Sequence, residues 1–171
     1  DGFDIVIGNP PYIKEYTNKS VFDGLRESAY YQGKTDLWSI FTAISLDYLK
    51  DDGTLSFIGP NNWVTNAGSS ILRNKIIKET EIKSYVDFGD FKVFEQAGIQ
   101  TMILILNKNI PKKKYQVEYL KISDKNESED SVYKKMFGIK VKIDILPIEM
   151  INKNISFSTS EFSSILNKIQ G

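Results

Sequence analysis

Apolar residues fall in runs of two kinds along the chain. Ile5, Val6 and Ile7 are consecutive, the pattern of a buried parallel strand covered on both faces. The run stops at Gly8, and Asn9-Pro10-Pro11 cannot continue a ladder. Residues 13–34, with Tyr16, Tyr30 and Tyr31, are mixed and predict a long, partly helical connection. Thr35-Asp36 then opens a helix whose apolar positions are Leu37, Ile40, Phe41, Ile44 and Tyr48. Asp51-Asp52-Gly53 is its expected stop. Thr54 to Gly59 predicts a second strand, closed by Pro60-Asn61-Asn62. A helix near Ser69 to Glu79, a strand from Ile82 to Phe88, a glycine-containing loop from Gly89 to Gly98 and a strand from Ile99 to Leu106 follow.

Strands alternating with helices predict an α/β layer sheet. The last two of these strands are joined by a loop alone, so they should be antiparallel neighbours, because a parallel pair needs a crossover. The expected sheet is mostly parallel with an antiparallel hairpin at one edge. Tyr115 to Ile122 and Ile139 to Leu146 predict extra C-terminal strands. Ser123 to Lys135, charged and polar, is expected to be a mobile surface loop. Ser158-Thr159-Ser160-Glu161 has the form of a capping box before Phe162, Ile165, Leu166 and Ile169.

Composition removes much chemistry. The chain has 171 residues and contains neither cysteine nor histidine. Disulfides, zinc sites built on Cys or His, and Ser-His or Cys-His pairs are therefore excluded within it, and no metal is expected. No apolar run is long enough to span a bilayer, and no signal peptide pattern opens the chain. The formal net charge is zero, without the basic balance that would announce nucleic acid. Lys112 to Lys114, Lys134, Lys135, Lys140 and Lys142 read as solvated turns and edges ahead of phosphate contacts. Asp1 is not a methionine and runs straight into a strand pattern, so the chain is expected to be a piece of a longer polypeptide.

The candidate chemistry lies in Asn9-Pro10-Pro11-Tyr12. A chance match to those four residues in a chain of this size is on the order of one in a thousand. A plain proline-rich turn explains each residue, but not their order at the carboxyl end of a strand, where open α/β sheets bind ligands. An exocyclic amine on adenine is a poor nucleophile because its lone pair is delocalised into the ring. The Asn9 amide oxygen and the Pro10 carbonyl can each accept one amine hydrogen, and two prolines hold that backbone rigid. Tyr12 offers a face on which a base can stack.

The motif and its surroundings resemble the gamma group of adenine-N6 DNA methyltransferases, including those of bifunctional type II restriction-modification enzymes. The likeness extends to Lys34-Thr35-Asp36-Leu37-Trp38, Phe41, Leu49-Lys50-Asp51-Asp52-Gly53 and Phe57-Ile58-Gly59-Pro60-Asn61. Asp87-Phe88-Gly89 and the segment from Val93 to Thr101 resemble the family's last sheet hairpin.

The resemblance implies a Rossmann-like methyltransferase sheet, present in part. Residues 1–122 would be the C-terminal half of the methyltransferase domain, 123–150 an extension with the charged loop, and 151–171 a linker or the start of a DNA target-recognition region. It implies Asn9, Pro10, Pro11 and Tyr12 as catalytic residues, with Tyr12 and Phe94 packing on a flipped adenine. Asn9 and Pro11 would also touch S-adenosylmethionine. DNA is the implied partner, with nuclease and target-recognition domains in the same polypeptide, no membrane, and a prokaryotic cytoplasm as the compartment. The family's glycine-rich cofactor loop is missing, and no Gly-x-Gly occurs in the chain. Asp1 would then fall inside the fold, before its fourth strand, with weak or absent cofactor binding by this piece.

Other positions stay open. Asp36 reads as a helix cap ahead of a cofactor or loop anchor. Asn61-Asn62-Trp63 is balanced between ligand contacts and a turn with Trp63 packed inward. Phe91 competes with Phe94 for the stacking role. RNA adenine, a protein glutamine, or a catalytically incomplete DNA-binding fragment remain as alternatives. Serine at the Asn9 position would accompany cytosine-N4 methylation in that family, and cytosine-C5 chemistry requires a cysteine nucleophile.

Overall fold

The computed structural model describes residues 1–95 and 98–157. In chain order it contains β1 (Phe3–Gly8), α1 (Leu37–Asp47), β2 (Leu49–Pro60), α2 (Ser70–Glu79), β3 (Thr80–Asp87), β4 (Thr101–Lys108), β5 (Tyr115–Lys121), α3 (Glu129–Phe137), β6 (Val141–Ile145) and the short α4 (Pro147–Met150). A 3-10 helix, Lys19–Leu25, lies in the connection between β1 and α1. The described strands form one sheet in the order β1-β2-β4-β3-β5-β6. β1, β2, β3 and β5 run one way, and β4 and β6 run against them. This is the mostly parallel α/β sheet that the alternation predicts. The β3–β4 hairpin is antiparallel as expected, but β5 and β6 pair beyond it, so it lies inside the sheet. No helix among the described residues is long and apolar enough to cross a membrane.

The helices cover the sheet unevenly. α1 and α2 pack on one face, where Trp38, Ala43, Leu46, Leu72 and Ile76 meet Leu55, Phe57, Ile82, Leu104 and Leu106. The opposite face carries a smaller cluster of Val86, Phe88, Ile122 and Val132, joined by Ile103, Leu120 and Met136. Side chains alternate across each strand, so Tyr85 faces the first cluster and Val86 the second.

Three further expectations are corrected. The strand at residues 4–8 is not buried: Ile5 and Ile7 are 69% and 78% exposed. β1 is an edge strand that pairs with β2 alone, and only Val6 turns into the core. The α1 helix ends at Asp47, before Asp51-Asp52-Gly53. Those residues instead bulge within β2, where the β1 register jumps from Phe3–Leu49 to Ile5–Thr54 and Asp52 takes φ 61°.

The third correction concerns the charged stretch Ser123 to Lys135, which is partly helix rather than all loop. Ser128 Oγ accepts from Ser131 N and caps α3. Glu129 and Asp130 sit in its first turn and Lys134 and Lys135 in its last, each sign where the helix dipole favours it. Val132 and Met136 anchor it to the second cluster. The capping box at residues 158–161 and the apolar positions after it lie outside the described residues.

Gly59 is required by close packing. Trp38 Nε1 donates to Ile58 O at 3.1 Å. A Cβ on Gly59 would lie 2.1 Å from that nitrogen. The indole of Trp38, wholly buried, occupies the space a side chain there would fill.

Candidate active site

β1, β2, β3 and β5 all end at the same edge of the sheet, and β4 begins there. The Asn9-Pro10-Pro11-Tyr12 loop leaves this edge from β1, whose last residue Gly8 pairs with Phe57. Pro10 is buried, while Asn9 and Pro11 are exposed. The loop is thus anchored by one proline and presents its asparagine to solvent. Tyr12 is half-buried against the main core, and its hydroxyl donates to Asn9 Oδ1 at 2.5 Å. Burial, and after it the Asp36 carboxylate, pushes the Tyr12 phenol up to about 12.

The far end of the loop is fastened to the start of α1. Ile13 O accepts from Leu37 N at 2.8 Å, and Glu15 N donates to Thr35 O at 3.1 Å. Lys14 and Asp36 form an antiparallel bridge between those bonds. Asp36 is the N-cap of α1, its carboxylate accepting from Trp38 N at 2.9 Å. Burial raises the Asp36 carboxyl above the ordinary aspartate range, against the Trp38 N–H and Lys14, which lower it. The cap reading holds, and the same turn also braces the Asn9–Tyr12 loop. Glu15 draws the rest of the connection together by accepting from Arg26 Nη1, the Tyr31 hydroxyl and Lys34 N. The Tyr31 bond and then the Arg26 bond hold its carboxyl below the usual range.

The second part of the site is the β3–β4 loop. Its β4 end lies two strand positions from β1, roughly 10 Å across the edge. Phe94 is half-buried on this loop and has no aromatic partner among the described residues. Phe91 is committed elsewhere: it packs on the second cluster, its ring 6.4 Å from that of Phe88. Of the two competing phenylalanines, Phe94 is the one whose ring is not spent on that cluster. The structure therefore brings Asn9 and Tyr12 into contact and puts Phe94 on the same sheet edge, without joining it to Tyr12.

Asn61-Asn62-Trp63 forms a 3-10 turn after β2. Trp63 is fully buried between Trp38 and Tyr85, with ring centroids 6.5 and 6.3 Å away, so the inward-packed alternative is correct for it. Asn61 does what sequence reasoning missed: its Nδ2 donates to Asp87 Oδ1 at 2.9 Å. Asp87 followed two residues on by Gly89 is a turn signal that could have drawn attention to this carboxylate.

For S-adenosylmethionine the described residues offer exposed positions at the sheet edge, Asn9 and Pro11, and no more. Among the described residues no glycine-rich turn follows a strand to receive the rest of the molecule, and the apolar face of β1 formed by Phe3, Ile5 and Ile7 is bare.

The Eco57I restriction-modification methylase family matches residues 1–94. The chain is 32% identical over 114 residues to a Methanocaldococcus jannaschii protein named for a type II restriction enzyme and methyltransferase. That alignment covers 66% of this chain and 9% of the relative. It is 29% identical over 113 residues to the type II restriction enzyme and methyltransferase RM.Eco57I of Escherichia coli, covering 62% of the chain and 11% of that protein. The chain thus spans about a tenth of these relatives. Among solved structures, a nuclease-deletion form of the type ISP restriction-modification enzyme LlaGI bound to a DNA substrate mimic aligns at TM-score 0.60. It shares 18% identity, over 94% of this chain and 18% of that one, a likeness of fold.

Proposed function

The chain belongs to the Eco57I restriction-modification methylase family, and from that premise we propose that it is the catalytic half of a DNA methyltransferase acting on the N6 amine of a flipped adenine. The observation that carries this is the Tyr12–Asn9 pair: an exposed amide oxygen, on a loop anchored by buried Pro10, beside an aromatic ring. S-adenosylmethionine supplies an electrophilic methyl group when bound, and the chain's own residues prepare the nucleophile. Asn9 Oδ1 accepts one amine hydrogen and the Pro10 carbonyl accepts the other. Accepting out of the ring plane localises the nitrogen lone pair, and fixed acceptors need no reorganisation as charge develops. The Tyr12 hydroxyl has to yield Asn9 Oδ1 to the incoming amine. Tyr12 and Phe94 then cover the two faces of the base, offsetting part of the cost of unstacking it.

Asn9→Ala in the full-length enzyme tests this. The lost acceptor matters most in the transition state, so single-turnover methylation of an adenine-containing duplex should fall roughly 100-fold or more while DNA affinity is kept. Digestion of the product should yield N6-methyladenine. Wild-type turnover by the mutant, or transfer to RNA or to a protein glutamine in preference to DNA, would sink the reading. A second reading is favoured by the absence of any Gly-x-Gly: this chain alone is catalytically incomplete and depends on further sequence to hold the methyl donor.

A further inference from the structure

The loop that carries Phe94 is tied to the end of β2 by side chains that touch neither the amine nor the methyl donor in the proposed reaction. Asp87 Oδ1 accepts from Asn61 Nδ2 and from Gly89 N, both at 2.9 Å. Asn61 Nδ2 also lies 3.4 Å from Gln100 Oε1, and Gln100 Nε2 donates to Asp90 Oδ1 at 2.5 Å. Backbone bonds run alongside, from Asn61 N to Gln100 O and from Phe88 N to Thr101 O, each 3.0 Å. Gly89 takes φ 51°, a left-handed turn, and a Cβ there would meet Ile122 O at 3.0 Å. Both ends of the loop, at Gly89–Asp90 and at Gln100, are therefore referred to one residue at the end of β2. That strand is the neighbour of β1, from which the catalytic loop departs.

We infer that Asn61 and Asp87 are positioning residues for base stacking, setting the Phe94 loop against the Asn9–Tyr12 loop. The inference rests on the proposed role of Phe94. Two features distinguish it from an ordinary strand-end cap. The bond joins elements 26 residues apart in sequence, and a single carboxylate oxygen serves both the β2 end and the loop's first turn. With the bond lost, the loop keeps its backbone hydrogen bonds, but its Asp87–Gly89 end is no longer tied to Asn61 and Phe94 is less firmly placed. The aromatic ring then contributes less to holding an extruded base.

The experiment is a double-mutant cycle in the full-length enzyme, read as the fluorescence gain of a duplex with 2-aminopurine at the target adenine. Asn61→Asp sets two carboxylates against each other and should cut the gain at least threefold. In a Phe94→Ala background it should cut it no further, because coupled residues act non-additively. Asn61→Asp combined with Asp87→Asn returns a donor facing a carboxylate and should restore the gain to within twofold of wild type. Asn61→Ala, with thermal melting of every variant, covers the case in which Asn61→Asp fails to fold. Equal fold losses in both backgrounds would make the bond merely structural and overturn the inference. An unchanged gain in Asn61→Asp would do the same with Phe94 still needed. An unchanged gain in Phe94→Ala alone would remove the stacking role itself and the inference with it.

Discussion

The Tyr12 hydroxyl donates to the Asn9 amide oxygen across a 2.5 Å gap, three residues along the same loop. The acceptor proposed to polarise the substrate amine is thus already occupied in the chain alone, by the residue proposed to stack on the same base. Binding the base exchanges one hydrogen bond for another, so the two roles of Tyr12 can be separated by mutation. Tyr12→Phe keeps the ring and frees Asn9, and methylation should stay within about threefold of wild type. Tyr12→Ala removes a stacking surface worth roughly 1–3 kcal/mol and should lower kcat/KM by about ten- to 100-fold. The kcat/KM of both variants on one duplex checks this; equal losses would mean that the hydroxyl, not the ring, is what matters.

The same hydroxyl predicts a pH signature. Its folded value, about 12, stands above the ordinary phenol value of 10.0. Between those limits the folded state holds a proton that the unfolded state has released, so stability falls as pH rises through that window. Below it the donor to Asn9 persists. The ultraviolet difference between wild type and Tyr12→Phe during alkaline titration should therefore show phenolate forming near pH 12. A Tyr12 phenolate complete by pH 10.5 would contradict the burial that the structure gives this ring.

Gly59→Ala should destabilise the fold through Trp38. The new methyl would lie 2.1 Å from the indole nitrogen that donates to Ile58 O. The indole would have to move, breaking that bond and displacing one of the two buried tryptophans of the core. Overpacking of this kind costs typically 1–3 kcal/mol, and a lost buried hydrogen bond about 1 kcal/mol more. Thermal or urea denaturation should show a loss near the sum of the two. A change below 0.5 kcal/mol, by the order of magnitude expected for an ordinary surface position, would mean that the Trp38–Gly59 contact is loose.

What was legible in the sequence was local chemistry. Asp36 announces its helix because N-capping needs only one side chain and the next turn, and Asn9-Pro10-Pro11-Tyr12 announces a rigid loop because proline acts on its own backbone. Less was legible where neighbours decide. Ile5, Val6 and Ile7 look the same whether a strand lies inside a sheet or at its rim, and only the pairing shows that two of them face outward. The charged residues Glu129, Asp130, Lys134 and Lys135 hid Val132 and Met136, four apart on one face of α3. The Asn61–Asp87 bond joins residues that no local pattern relates. The preference for Phe94 over Phe91 comes from the family resemblance; what no local pattern shows is that Phe91 packs against Phe88.

The bare face of β1 bears on how the chain behaves by itself. Phe3, Ile5 and Ile7 are 60%, 69% and 78% exposed, on a strand that pairs on one side only. An exposed apolar face of this kind marks either a docking surface or an aggregation liability, and an open strand edge offers backbone groups to any other strand. No Gly-x-Gly occurs in the chain, and among the described residues no glycine-rich turn follows a strand to receive a methyl donor. The isolated chain should therefore self-associate and bind S-adenosylmethionine weakly or not at all. Sedimentation should show oligomers that Ile5→Lys with Ile7→Lys reduces to monomers, since charges on a strand edge oppose pairing. Calorimetric titration of the isolated chain with S-adenosylmethionine should show no heat of binding at micromolar ligand. Micromolar binding would place a cofactor site within residues 1–171 and would contradict the expectation drawn from the missing glycine-rich loop.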